Sequence, residues 1–241
     1  QGNGFLSNMG FFSIPDHFWV SLAHIVGIDM VLSGDNAVVI ALAANSLPPR
    51  QQRMAVVWGA GAAVGMRIVL ATIAVALLTL PFLKIFGAAL LLWIGVKLML
   101  PEDENKDIQS GENLISAIKT IMLADAVMSL DNVIAVAGAA KGSVLLLALG
   151  LGISIPIVIF GSTILLKLME RLPVVIVFGA ALLGYVAGEM AVTDPYVHHW
   201  VGSHMPGLHR IAAIAGAVTV VIAGKMLAKK KLAEIPVGDE V

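Results

Sequence analysis

From Ala55 to Leu80 the chain carries a single charge, Arg67. A bilayer core is crossed by about 20 apolar residues, and only a backbone that satisfies its own hydrogen bonds can lie there, so such a run must be a helix. Apolar runs recur along the whole length, and the pattern predicts seven spans at roughly 18–45, 54–80, 83–100, 113–140, 143–168, 172–191 and 209–228. Charged residues make up 13% of the chain, about half the usual ~25% of a soluble domain. The expected fold is therefore an all-α polytopic membrane protein with one transmembrane domain over residues 1–241. The absence of cysteine excludes disulfides, thiolate metal sites and thiol catalysis. A net charge of -1 gives no sign of nucleic-acid binding. The opening "QGNGFLSNMGFFSIPDHFWV" lacks the basic n-region and small-residue cleavage site of a signal peptide.

Basic residues set the expected orientation, because Lys and Arg concentrate in cytoplasmic loops. With the N-terminus outside, Arg50, Arg53, Lys106, Lys167, Arg171, Lys229, Lys230 and Lys231 fall inside, against Lys84, Lys141 and Arg210 outside. The bias predicts an N-terminus outside and a cytoplasmic C-terminus.

Two blocks of sequence occur twice. "DMVLSGDN" at 29–36 is echoed by "DAVMSLDN" at 125–132, and "LPFLKIFGAALLLW" at 80–93 by "LPVVIVFGAALLGY" at 172–185. Matched blocks in the same order imply two homologous units, about 18–100 and 113–191, with the helix at 209–228 outside the repeat. Three crossings per unit place the second copy upside down. Inverted-topology repeats are typical of secondary transporters, whose sites lie near the midplane between the halves.

The first duplicated block carries the chemistry. On an ideal helix at about 100° per residue, Asp29 and Asn36 share a face with Ser33 close by, and Asp35 lies one step round. Asp125, Ser129, Asp131 and Asn132 repeat the arrangement. Each Asp near the centre of a membrane helix costs about 2.5–3.5 kcal/mol on the insertion scale, which packing alone does not explain. Hydrogen-bonded glue between helices is the plain alternative, and the stronger one for Ser33 and Ser129. Carboxylate, amide and hydroxyl oxygens are hard ligands that suit Mn²⁺, Ca²⁺ or Mg²⁺. A surplus of carboxylates around one divalent ion makes exchange of protons for metal a natural coupling.

Arg67 has no charged counterpart in the second unit, where Ile159 holds the aligned position. An arginine this deep calls for an acidic partner, so it is expected to act as a counter-ion to one Asp, or to occupy the site between metal ions. Glu189 is an accessory candidate near the outer end of its span, and its counterpart Lys97 is expected to snorkel to the inner surface. His198, His199, His204 and His209 make an outer His-rich connection whose spacing fits no standard zinc site. Pro156 is expected to break the fifth span.

The paired Asp-x5-Asp-Asn motifs, with "RIVL" in the second span and "GAALLLWIGVKLML" in the third, resemble the TerC family of integral membrane proteins. The resemblance covers about residues 18–228. It implies a multi-pass protein of a bacterial cytoplasmic membrane, grouped with LysE-type exporters and associated with Mn²⁺ efflux. It also puts Asp29, Asp35, Asn36, Asp125, Asp131 and Asn132 on the metal path, with Mn²⁺ as substrate and no permanently bound cofactor. Tellurite, from which the family takes its name, is an oxyanion that a carboxylate-rich site repels.

Two other functions compete with export. A membrane partner that hands metal to exported enzymes would need the same ligands. An intramembrane aspartyl protease also places one Asp on each of two spans, with "LSGD" echoing its motif. That mechanism needs one dyad and gives no reason for duplicated Asn residues. The expectation is a transporter, not an enzyme.

Overall fold

The computed structural model describes residues 18–78, 80, 82–101, 110–140, 143–197 and 207–234. Eight helices have their bounds there: α1 (Phe18–Leu32), α2 (Gly34–Ala44), α3 (Pro49–Leu78), α4 (Leu83–Leu98), α5 (Ser110–Ala140), α6 (Val144–Arg171), α7 (Val174–Val192) and α8 (Leu208–Glu234). Five of them are long and apolar enough to cross a membrane, or six spans when the bent pair α1 and α2 counts as one. Large apolar side chains such as Val31, Phe86, Phe160 and Phe178 are 69–82% exposed. That surface would be a liability in water and fits contact with lipid tails.

The expected first span, 18–45, is not one straight helix. It breaks at Ser33 with a bend of 53°. Gly34 follows the break, and glycine is a poor helix former because it loses the most backbone freedom. The third expected span, 83–100, is also shorter than the pattern suggested and is not among the five, or at most six, candidate spans of the described residues. α4 has 16 residues, about 24 Å at 1.5 Å per residue, against a bilayer core of about 30 Å. It starts after Phe82, which sits in the left-handed region at φ 64. It closes in a tight turn, where Met99 N–H donates to Val96 O and Leu100 N–H to Lys97 O, just before Pro101. Pro156, in contrast, lies within an unbroken α6.

The helices pack in a reciprocal pattern. The bent pair α1–α2 lies on α6, α3 lies on α5, and α4 lies against α7, while α8 covers α7 and α4 from outside. Since lipid tails are as apolar as leucine, helix association in a membrane depends on close contact rather than burial from water. Small residues supply that contact. Ile121 of α5 fits against Gly59 of α3, where an added Cβ would come within 2.6 Å of its Cδ1. Ile25 of α1 fits against Gly150 of α6, where a Cβ would lie 2.4 Å from its Cγ2. Both isoleucines are fully buried. On the outer flank, Gly184 and Gly188 of α7 meet the backbone of Gly216 and Ala212 on α8.

A polar tie fixes the ends of α4 and α7 together. Asp194 is fully buried. Its Oδ2 accepts the Lys84 N–H at 3.2 Å and its Oδ1 the Tyr196 N–H at 3.0 Å. The Tyr196 ring also packs on Phe82, with centroids 4.7 Å apart.

Candidate functional site

Helix α3 carries Arg67 into the middle of the bundle, where it is 4% exposed. On one side of it lies the break between α1 and α2, and on the other the midpoint of α5. Its Nη1 pairs with Asp29 Oδ1 at the end of α1, and its Nη2 with Asp125 Oδ1 on α5. Nη1 also donates to Ser33 Oγ at 3.1 Å and Nε donates to Ser129 Oγ at 3.0 Å. Ser129 passes its own hydroxyl hydrogen to Asp125 Oδ2, 3.3 Å away. The planar guanidinium fork thus spans both halves of the repeat, holding one Asp and one Ser from each copy. A lysine, with one compact ammonium, could not bridge the two in this way. The sequence pointed to one acidic partner for Arg67; the structure gives it two.

The network borders a small cavity of about 20 Å³, lined on its polar side by Asp29, Ser33, Asn36, Arg67, Asp125 and Ser154. A water needs roughly 10–15 Å³, so the space suits a single small occupant. Ala60 and Ala63 of α3, with Ile155 and Val158 of α6, form its apolar walls. Asn36 is 3% exposed, and both its Nδ2 and its Oδ1 are buried with no hydrogen-bond partner among the described residues. An unpaired buried amide costs about 1–3 kcal/mol. The unpartnered amide belongs to the lining of that cavity.

The break is what presents these groups. Had α1 continued straight through Ser33, Asn36 would have remained on the same helix face as Asp29 as a lattice of intrahelical bonds. Instead α2 starts afresh at Gly34, and its first turn carries Asn36 into the cavity lining. Asp35, half-buried in the first turn of α2, accepts the Asn36 N–H on its Oδ1 at 2.9 Å. Non-helical backbone at membrane depth is tolerated where protein encloses it, and here α6, α5 and α7 all pack on α2.

The expected site residues therefore divide. Asp29, Ser33, Asn36, Arg67 and Asp125 line the cavity, and Ser129 supports Arg67 and Asp125 from beside it. Asp35 and the half-buried Asn132 are not in its lining, and neither is Glu189, which is exposed on α7. The side chain of Asp131 lies outside the described residues, as do His198, His199 and His204. Among the described residues no three of His, Asp and Glu stand together as a ready metal cluster. The donors at the cavity are mixed: two carboxylates, an amide and hydroxyls. Ser154 was not anticipated. Its hydroxyl donates to Gly150 O at 3.2 Å, so its oxygen remains an acceptor. Its one sequence signal is a polar residue two places before Pro156 in an apolar run.

Comparison with known proteins gives a consistent result. The family profile described as "Integral membrane protein TerC family" matches residues 14–232. The membrane protein YjbE of Bacillus subtilis is 46% identical over 187 residues, covering 78% of this chain and 86% of YjbE. The inner membrane protein YoaE of Escherichia coli K12 is 26% identical over 229 residues, which is 87% of this chain but 43% of YoaE. YceF of Bacillus subtilis is 24% identical over 183 residues. No solved structure matches the chain.

Proposed function

The chain belongs to the TerC family of integral membrane proteins, and from that premise we propose that it is a secondary transporter exporting a divalent cation, with Mn²⁺ as substrate. The observation that carries the reading is Asn36: a buried amide without a partner, on the wall of a cavity shared with Asp29 and Asp125. Oxygen donors of this kind suit Mn²⁺, Mg²⁺ or Ca²⁺, and the choice of Mn²⁺ rests on the family. Asp35, Asp131 and Asn132 belong to the same path on this reading, as donors that the ion meets on either side of the cavity.

The reciprocal packing supports two inverted halves. Ile25 and Ile121 stand 96 positions apart, as Asp29 and Asp125 do, and each seats on a glycine of the other unit. Discontinuous helices at a repeat interface are a recurrent way to build ion sites in transporters, and the α1–α2 break is one. Within such a carrier α4 serves as the short third crossing, which makes seven spans in all. The charge bias sets the N-terminus outside, and YoaE's name agrees with a bacterial inner membrane.

Arg67 then acts as a tethered cation. With the metal present, Asp29 and Asp125 turn to the ion; once it leaves, the guanidinium compensates the two carboxylates and the carrier can return without a passenger. Protons are the expected exchanged ion. An oxyanion substrate is disfavoured, because the fork of Arg67, the one cation at the cavity, is already held by two carboxylates.

The test is Mn²⁺ flux into proteoliposomes, with and without a pH gradient, beside Asp29→Asn and Asp125→Asn. Flux lost in both variants supports the proposal, and dependence on the gradient supports proton exchange. Metal binding without flux would replace it with a partner that hands metal to other proteins.

A further inference from the structure

Where α4 ends and α5 begins, a groove of about 380 Å³ opens between the two helices. The volume lies within the roughly 300–1,000 Å³ of ordinary small-molecule pockets. Its lining is split by chemistry. Trp93, Ile115 and Leu123 are 42–55% exposed and form an apolar side. Lys97 and Lys119 supply two ammonium groups, and Ser116 adds an exposed hydroxyl. No carboxylate lines the groove among the described residues.

Its location narrows the ligand. Lys97 is one residue from the end of α4 and its ammonium lies 5.2 Å above the Trp93 ring, an aromatic of the type that settles at the headgroup level. Lys119 lies six residues inside the candidate span that starts at Asn113, about 9 Å at 1.5 Å per residue, a depth from which a lysine stem reaches the interface. The same membrane surface is basic beyond the groove, since Lys231 at the end of α8 donates to Pro101 O at 2.6 Å. Trp93 lies four residues deeper than Lys97, and Leu123 four residues deeper than Lys119, so an apolar side chain follows each ammonium toward the tails, which matches an anionic phospholipid with its phosphate above its acyl chains.

We propose that the groove between α4 and α5 binds one anionic phospholipid, its phosphate held by Lys97 and Lys119 and an acyl chain lying on Trp93 and Leu123. This site is separate from the cavity around Arg67, with which it shares no lining residue.

The experiment is native mass spectrometry of the purified chain with dioleoylphosphatidylglycerol, dioleoylphosphatidylcholine and inorganic phosphate in turn. The wild type should retain one phosphatidylglycerol in preference to phosphatidylcholine. At about fivefold for each lysine near a membrane surface, Lys97→Gln/Lys119→Gln should weaken that retention by more than tenfold, while Lys97→Arg/Lys119→Arg keeps it. Three results would overturn the proposal. Equal retention by wild type and the Gln pair would mean that the lysines serve another partner, such as the acidic segment 102–107. Equal binding of both lipids would make the groove a merely apolar surface. Displacement of the lipid by inorganic phosphate that itself stays bound would make it a free-phosphate site.

Discussion

Ile121 and Gly59 fit so closely that a single methyl group on the glycine would lie 2.6 Å from the isoleucine Cδ1. The equivalent pair, Ile25 and Gly150, meets through a different atom, Cγ2 at 2.4 Å. The two contacts should therefore respond differently to rescue. Gly59→Ala and Gly150→Ala should each destabilise the protein by about 1–3 kcal/mol through overpacking. Ile121→Val removes Cδ1 and should restore much of the loss in the first case. Ile25→Val leaves Cγ2 in place and should restore little in the second. Thermal unfolding of the four single and double variants in detergent checks this, and equal rescue of both would contradict the geometry.

The Arg67 network predicts a large penalty for breaking it from one side. Arg67→Gln leaves two buried carboxylates facing each other, which should cost about 3–5 kcal/mol. Arg67→Lys should fail to restore stability, since a lysine cannot reach Asp29 and Asp125 together. Adding Asp29→Asn to Arg67→Gln should recover part of the loss by removing one of the opposed charges. Melting temperatures of these variants decide it; a stable Arg67→Gln would mean that the ion pairs are dispensable.

Asn36 predicts the opposite relation between stability and activity. Its amide is buried without a partner, so Asn36→Leu should leave the fold as stable as the wild type or raise its stability by about 1–3 kcal/mol. The same change should abolish Mn²⁺ flux in proteoliposomes. A variant that unfolds more easily would show that the amide has a structural partner, and one that still transports would remove Asn36 from the path.

The α7–α8 seam gives a stability test away from the site. A Cβ at Gly188 would lie 2.0 Å from the Ala212 carbonyl oxygen, while one at Gly61 would meet nothing within 4 Å. Backbone cannot step aside as a flexible side chain can. Gly188→Ala should lower the melting temperature sharply, and Gly61→Ala should be neutral or raise stability by up to about 1 kcal/mol. Similar effects at both positions would argue against a close α7–α8 crossing.

Much of this was legible in the residues. Apolar run length gave the helices, and the doubled Asp-Ser-Asn pattern gave Asp29, Ser33, Asn36 and Asp125 as one group before any coordinates. Arg67 announced itself by its depth. What a helical wheel could not supply was the break at Ser33, because the wheel assumes a straight axis. A signal was present in the comparison of the two copies: Gly34 stands where the second copy has Leu130, a strong helix former. Asp35, one step from Asn36 on the wheel, accepts the Asn36 N–H in the first turn of α2 and is not in the cavity lining. The short α4 was also hidden. Lys84 and Lys97 apart, its sequence is apolar through Leu100, and the turn at Met99 and Leu100 ends it.

That one copy of the motif bends and the other does not has a mechanical meaning. α5 runs unbroken past Asp125 and Ser129, while α1 and α2 meet at an angle of 53° beside Asp29 and Ser33, so the two sides of the clamp around Arg67 are built differently. Identical jaws would open by the same amount to either side of the membrane. A bend at Ser33 has no counterpart at Ser129, so any movement of α2 about that break would have no mirror image in α5. The two copies of the motif, alike in sequence, are thus unlike in backbone.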